Sequence, residues 1–323
     1  MLGLSAKMRT KRYATKQPAV YGYFAGGVTS SGAPVTATDR ITFSTGATAA
    51  NTASVLSITK DLLAGVSDLA IYGYFAGGLT ATSVTTRVVT ADRITFSTGA
   101  IAANTVSNLS QARYGLTGLS DVTTYGYFAG GATSAVVVTT DRITFSTGAT
   151  AANTVSNVSL ARSSLVGISD AITYGYFAGG TTSFYSAVAD RIIFSTCVTS
   201  ANTASNLSLA RSGLAGLSDA TTYGYFAGGI TVGGNVATAD RITFSTGVTV
   251  ANTNSNLSQV RYKVSGLSDA IAYGYFVGGV SSGSTSVVTA ERITFSTGVT
   301  VANTASNLSA AKSDIGSLSD LAV

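Results

Sequence analysis

Residues 125–170 read YGYFAGGATSAVVVTTDRITFSTGATAANTVSNVSLARSSLVGISD, and four residues after that final Asp170 the same words begin again at Tyr174. YGYFAGG starts at Tyr21, Tyr72, Tyr125, Tyr174 and Tyr223, and YGYFVGG starts at Tyr273, so the chain holds six copies of one unit. Most distances inside the unit do not vary. The acid before RITFST stands 21 residues ahead of a base, as in Asp92 to Arg113 and Glu291 to Lys312. That base stands 8 residues ahead of the acid of a Ser-Asp pair, as in Arg113 to Asp121, and the next YGYF begins 4 residues later, at Tyr125. Length changes only between the Gly-Gly pair and the acid: Gly131 to Asp141 spans 10 residues and Gly78 to Asp92 spans 14. A repeat of about 50 residues is the mark of a modular array, because one such unit cannot bury its apolar face alone.

Within a unit, YGYFAGG and RITFST alternate with a period of two, which is the pattern of β-strands. The Asn-Thr-rich stretch and GLxGLSD read as two further short strands bounded by Gly, Asn and Asp turn formers. Four strands per unit and six units predict an all-β protein, a six-bladed β-propeller of four-stranded blades. The first unit, at Tyr21, lacks a preceding GLxGLSD strand, and the last unit ends after one, around Asp314 to Leu321. The expectation is therefore that the C-terminal strand joins the N-terminal blade and closes the ring. An open solenoid would need atypical capping units at both ends, and the sequence offers none. The division expected is a basic arm over 1–20 and the propeller over 21–323.

The order of motifs resembles kelch repeats: a base (Arg113), an apolar strand (GLTGLSD), a strand ending in Gly-Gly (Tyr125 to Gly131), a strand with an aromatic (Arg142 to Thr147), an outer stretch (NTVSNVS) and the next base, Arg162. Where a kelch repeat carries a late tryptophan, this one reads AANT. The resemblance spans residues 21–320 and implies the propeller fold.

Charge is scarce, with Asp, Glu, Lys and Arg together at 10%, and it follows the repeat. Six acids precede RITFST and six close the Ser-Asp pairs; six arginines open RITFST and six bases precede GLxGLSD. Only Asp61, Asp314, Arg87 and Lys263 break the pattern after residue 20. Residues at fixed places in every unit are expected to make structural contacts, with the arginines bonding both sets of acids and the tyrosine pairs packing between blades around the intervening Gly. Five bases, Lys7, Arg9, Lys11, Arg12 and Lys16, account for the whole net charge of +5. The arm they form reads either as a solvated, flexible chain terminus or as a docking element for an acidic surface of another protein or for phosphates. The neutral body argues against nucleic acid as a partner of the propeller.

No His is present and Cys197 is the only cysteine, which removes histidine-based hydrolase triads, histidine-ligated copper and cysteine–histidine zinc sites. No catalytic residue, cofactor or metal is therefore expected, and no apolar run reaches the length of a membrane span. The phrasing YGYFAGG, DRITFST and NLSxAR resembles kelch-like repeats of phage tail and virion proteins, notably of phages that infect cyanobacteria. That resemblance implies a non-enzymatic tail-fibre, tail-tip or baseplate component, made in the host cytoplasm and carried in the virion. Other virion or tail proteins would meet the basic arm, and a host glycan or receptor would meet the propeller. The alternative is a lectin-like module reading carbohydrate or protein through the variable loops, 28–38, 79–91, 132–140, 181–189, 230–239 and 280–290. Phe184 and Tyr185 are the aromatics of these loops and the candidate ligand contacts, set against packing onto a neighbouring blade.

Overall fold

Alternating small and large residues over five positions, flanked by glycines, leave each YGYFA segment able to bury both its faces, and it forms the second strand of a blade. A computed structural model describes residues 19–320 and shows six four-stranded antiparallel sheets. In blade 3 the strands run Thr117–Ser120, Tyr125–Ala129, Thr140–Thr144 and Ala149–Ala152, from the axis outward. Blades 2, 4, 5 and 6 repeat this with inner strands Ala64–Ser67, Val166–Ser169, Ala215–Ser218 and Ser265–Ser268. Blade 1 takes its inner strand from the far end of the chain. Gly316–Ser319 pairs with Tyr21–Ala25 in the register Gly22 to Ser319 through Ala25 to Gly316. The ring thus closes as the spacing predicts, and the pairing of the two chain ends removes the edges that an open array would leave.

One strand assignment is corrected. The fourth strand is the segment just before the Asn, such as Ala47–Ala50, and the Asn-Thr stretch itself is a turn of 3-10 helix, Thr52–Ser54. Asn and Thr side chains bond nearby backbone in place of a strand ladder. In the first unit the Asn51 side chain accepts from the Ala53 amide at 3.3 Å; in the others the turn is closed by backbone bonds, as in the Ser107 amide to Asn104 O at 3.1 Å.

The two faces of the second strand serve different neighbours. Tyr23, Tyr74, Tyr127, Tyr176, Tyr225 and Tyr275 pack on Phe96, Phe145, Phe194, Phe244, Phe295 and Phe43 of the following blade, with ring centroids 5.9–6.2 Å apart. The Gly between the tyrosines faces the preceding blade, but the room it leaves is taken by an aliphatic residue and not by a ring. A Cβ on Gly22 would lie 2.7 Å from Leu267 Cδ2, and one on Gly73 the same distance from Leu318 Cδ2. Six apolar clusters result, one in each gap between blades.

Three closed hydrogen-bond rings follow from this repetition. Around the axis, each inner-strand Ser hydroxyl donates to the Ser carbonyl of the preceding blade: Ser67 to Ser319, Ser120 to Ser67, Ser169 to Ser120, Ser218 to Ser169, Ser268 to Ser218 and Ser319 to Ser268, all at 2.8–3.0 Å. At the entry to the inner strands, backbone amides form a second ring. Leu62 donates to Asp314, Gly115 to Leu62, Ser164 to Gly115, Gly213 to Ser164, Lys263 to Gly213 and Asp314 to Lys263, at 2.6–3.3 Å. The third ring uses the 3-10 turns. Ser54 donates to Gly99 O, and Ser107, Ser156, Ser205, Ser255 and Ser306 donate likewise to Gly148, Cys197, Gly247, Gly298 and Gly46 at 2.5–2.7 Å.

Candidate functional site

A buried charge needs a partner, and each blade supplies one by setting the base ahead of its inner strand against the acid of its third strand. That acid belongs to the next unit and is not the one 21 residues before the base. The bases Lys60, Arg113, Arg162, Arg211, Arg261 and Lys312 pair with Asp92, Asp141, Asp190, Asp240, Glu291 and Asp39. Five of these pairs lie at 2.5–2.8 Å, and the sixth, Arg261 to Glu291, is also in contact. Burial lowers the pKa of Lys60, Arg113, Arg162, Arg211 and Arg261, and in the first four the paired carboxylate opposes the shift. The acids also reach across blades: Asp190 Oδ1 accepts from the Ser159 amide at 3.1 Å, and Asp92 Oδ1 from the Ser57 amide at 3.1 Å.

The arginines of RITFST behave differently from expectation, and so do the Ser-Asp acids. Arg40, Arg93, Arg142, Arg191, Arg241 and Arg292 lie over the rings of Tyr21, Tyr72, Tyr125, Tyr174, Tyr223 and Tyr273, with the guanidinium carbon 4.2–4.7 Å from the centroid. The Ser-Asp acids cap the turn that follows them. Asp121 Oδ1 accepts from the amides of Thr123, Thr124 and Tyr125 at 2.7–3.0 Å. A carboxylate four residues ahead of a strand reaches the amides of the turn between them more readily than it reaches a distant side chain.

The outcome, among the described residues, is a surface on which no charged side chain is fully exposed. Every Asp, Glu, Lys and Arg among the described residues is buried or half-buried, and the exposed positions are held by Ser, Thr, Ala, Val, Ile, Leu, Gly, Asn, Gln and Phe184.

The variable loops rise at one end of the ring, where they adjoin the mouth of the axial channel. The residue after each base pairs with the residue after the Gly-Gly pair: Asp61 with Leu79, Tyr114 with Ala132, Ser163 with Thr181 and Ser212 with Ile230. The loops therefore spring from the rim of the mouth. Phe184 stands at a loop tip, 78% exposed, so it does not pack onto a neighbouring blade. Tyr185 is half-buried, and its backbone pairs with Thr181 to make the turn that holds Phe184 out. Val232 is the most exposed apolar residue of the adjacent loop, at 93%. The arm residues Lys7, Arg9, Lys11, Arg12 and Lys16 lie outside the described residues.

Inside the channel a cavity of about 170 Å³ is lined by inner-strand residues of all six blades, among them Gly65, Gly118, Gly167, Gly216, Gly266 and Ser317. A girdle of Leu63, Leu116, Leu165, Leu214, Val264 and Ile315 separates it from the mouth, a shallower space of about 80 Å³. Three of the four charges that break the repeat meet beside this mouth. Lys263 Nζ lies 2.7 Å from Asp314 Oδ2, and Asp61 interacts electrostatically with both. Sequence reading singled these residues out but did not bring them together. The signal was there: they sit one or two residues after the bases of blades 2, 6 and 1, and the ring makes those blades neighbours. The fourth charge, Arg87, is apart, its guanidinium donating to Val84 O at 3.0 Å.

Among the described residues no group of three or more His, Cys, Asp or Glu is placed to hold a metal ion, and no helix is long and apolar enough to cross a membrane. Cys197 is buried in the place of a glycine, with Tyr127 donating to its sulfur at 3.2 Å. The chain matches no model of a known protein family, and comparison with curated proteins finds no similar sequence.

Proposed function

We propose that the protein is a non-enzymatic virion component, a phage tail-fibre, tail-tip or baseplate element whose propeller packs against other proteins or a host surface. The observation that carries this reading is that, among the described residues, every charged side chain is buried or half-buried. Interface cores are depleted of charged residues because burying an unpaired charge is costly. A ring that buries six ion pairs and half-buries its other charges against tyrosine rings and backbone amides presents mostly uncharged side chains to a partner, which keeps the desolvation cost of covering it small. The resemblance of the repeat to kelch-like virion repeats supplies the phage context. The basic arm, 1–20, is assigned the attachment to the particle.

The test is immunogold labelling of purified particles of the phage that encodes the chain, with antibody raised against the propeller. Gold on the tail is the expected result. Protein abundant in the lysate but absent from purified particles overturns the reading. A chain lacking residues 1–19 is expected to fold and to stay out of the particle.

The second reading, a lectin-like module, is favoured by one feature, the outward Phe184 beside hydroxyl-rich loops. An exposed ring held by a tight turn offers a stacking face for a sugar. Glycan-array binding that is lost in Phe184→Ala supports it, and an array without hits refutes it.

A further inference from the structure

The six inner strands are near-copies, yet only one of them has to be recruited from the other end of the chain. It is Gly316–Ser319, the inner strand of blade 1. The charges that break the repeat collect at its entrance. Asp314 stands two residues ahead of it, Lys263 precedes the inner strand of blade 6 on one side, and Asp61 precedes that of blade 2 on the other. At the position of Asp61 the other blades carry Tyr114, Ser163, Ser212, Tyr262 and Ser313, and at the position of Lys263 and Asp314 they carry Leu62, Gly115, Ser164 and Gly213. Acidic and basic groups at this level of the ring are thus confined to the seam.

The arrangement is unbalanced. Two carboxyl groups share one ammonium. Asp314 holds Lys263 at 2.7 Å, while Asp61, only 4% exposed, has its Oδ1 buried with no hydrogen-bond partner. The other charged groups nearby are engaged elsewhere. Lys60 is paired with Asp92 and Lys312 with Asp39, each at 2.7 Å, and Arg87 bonds Val84 O. Tyr262 lies under the Lys263 ammonium, 5.6 Å from centroid to nitrogen, and the Tyr114 backbone is turned to Ala132. The fixed backbone leaves little freedom to relieve the imbalance, since Lys263 and Asp314 both sit at positive φ, 57° and 56°, within the closed ring of amide bonds.

We propose that Asp61, Asp314 and Lys263 form a proton-operated latch on the strand that closes the ring, shut when Asp61 is neutral and loosened when Asp61 must ionise beside Asp314.

Several features support the latch besides its geometry. Burial first, and then the charge of Asp314, push Asp61 up to about 7, against the opposing pull of Lys263. Burial also raises Asp314, with Lys263 opposing. For Lys263, burial works against the ammonium, but Asp314 with its hydrogen bond, Tyr262 and Asp61 outweigh it and the pKa rises. At the other end of the same strand Asp320 accepts the amides of Val20 and Tyr21 at 2.9 and 2.7 Å, and burial raises it to about 6 despite those bonds. The sign follows by linkage. A carboxyl whose pKa is raised in the closed state stabilises that state fully below its ordinary value, and the stabilisation is lost as pH rises to the raised value. Asp61 therefore favours closure at about pH 4 and ceases to do so by about pH 7; Asp320 adds a contribution that is mostly spent by about pH 6.

The experiment is hydrogen exchange read by mass spectrometry on the full chain from pH 4.5 to 7.5, corrected for the intrinsic pH dependence of exchange. Peptides covering 312–320 and 60–67 report the seam, and peptides covering the inner strands of blades 3–5 serve as internal references. Between pH 6 and 7, where Asp320 contributes no more than about twofold, Asp61 is expected to raise opening of the seam by up to about tenfold, the limit for one proton per pH unit. The references should stay level. Asp61→Ser, which installs the residue of blades 1, 4 and 5 and so is compatible with the fold, is expected to cut the rise in that window to about twofold or less, the part left to Asp320, and Asp61→Asn to do the same. An equal rise in Asp61→Ser and the parent chain overturns the latch, and so does a rise shared by all six inner strands.

Discussion

Arg162 is the sharpest place to test whether the internal ion pairs hold the blades together through their net attraction or through the cost of leaving one partner alone. Its guanidinium donates to Asp190 Oδ2 at 2.7 Å and to Phe177 O at 2.9 Å, while its Nε and Nη1 have no partner. Both side chains of the pair are fully buried. Burial lowers the Arg162 pKa below its ordinary value even with Asp190 in contact, so desolvation of the cation exceeds what the carboxylate returns. Such a pair adds little over apolar residues of the same volume, yet breaking it strands a charge at a cost of about 3–5 kcal/mol. Arg162→Met is therefore expected to lose about 3–5 kcal/mol of unfolding free energy. Arg162→Met with Asp190→Asn removes the stranded charge and keeps an oxygen for the Ser159 amide. It should return to within about 2 kcal/mol of the parent, the remaining loss being one buried carbonyl, Phe177 O, without its donor. Urea denaturation followed by circular dichroism measures both, provided the m-value stays constant across the three proteins. A loss below about 1 kcal/mol for the single variant, the range of an exposed pair, would refute the reasoning. A double variant as unstable as the single one would refute it too.

Other consequences can be checked in the same way. A Cβ on Gly118 would lie 2.2 Å from Gly65 O on the next inner strand, so Gly118→Ala should cost at least about 2 kcal/mol by forcing backbone apart, seen as a lowered thermal midpoint. Gly283→Ala, on a loop where the nearest atom is 3.9 Å away, should change stability by less than about 0.5 kcal/mol. Phe184→Ala should leave the melting temperature within error while lowering binding to whatever the loop end contacts, because the ring it removes is 78% exposed. Thermal midpoints of the parent chain should fall from pH 5 to pH 7, and fall less in Asp61→Ser, since Asp61 and Asp320 both have raised pKa values.

Much of the fold was legible because repetition turns one local inference into six. The fixed spacing Asp92 to Arg113 says that acid and base both belong to recurring contacts. Each base, however, pairs with the acid of the next unit around the ring, Lys60 with Asp92 and Arg113 with Asp141, because the strand after the base is the inner strand of that next blade. What misled was the assumption that all charges pair with one another. Arg142 lies over Tyr125, and Asp121 caps three amides, because these partners are one strand or a few residues away in the folded blade. Similarly, the small polar residues of the Asn-Thr stretch suggest a strand, while the backbone closes a 3-10 turn there, as in the Ser54 amide to Asn51 O at 3.2 Å, and the Ser54 hydroxyl reaches Gly99 of the next blade.

The sequence by itself determined the number of blades, the strand-by-strand order within them and the closure by the C-terminal strand, because each depends on period, spacing and complementarity of the ends. It also located every break in the pattern. Only the tertiary structure decided what those breaks do. Asp61 and Asp314 are 253 positions apart (314 − 61), and their encounter depends on how the ring is wound. Exposure is likewise a property of the closed ring. Phe184 stands in solvent because a five-residue turn lifts it from the rim. Among the described residues no charged side chain is fully exposed, because neighbouring strands and blades cover the six ion pairs while tyrosine rings and turn amides cover the RITFST arginines and Ser-Asp acids in part. Local propensity acts over a few residues, whereas burial and electrostatic coupling depend on distances that exist only once the six blades have met.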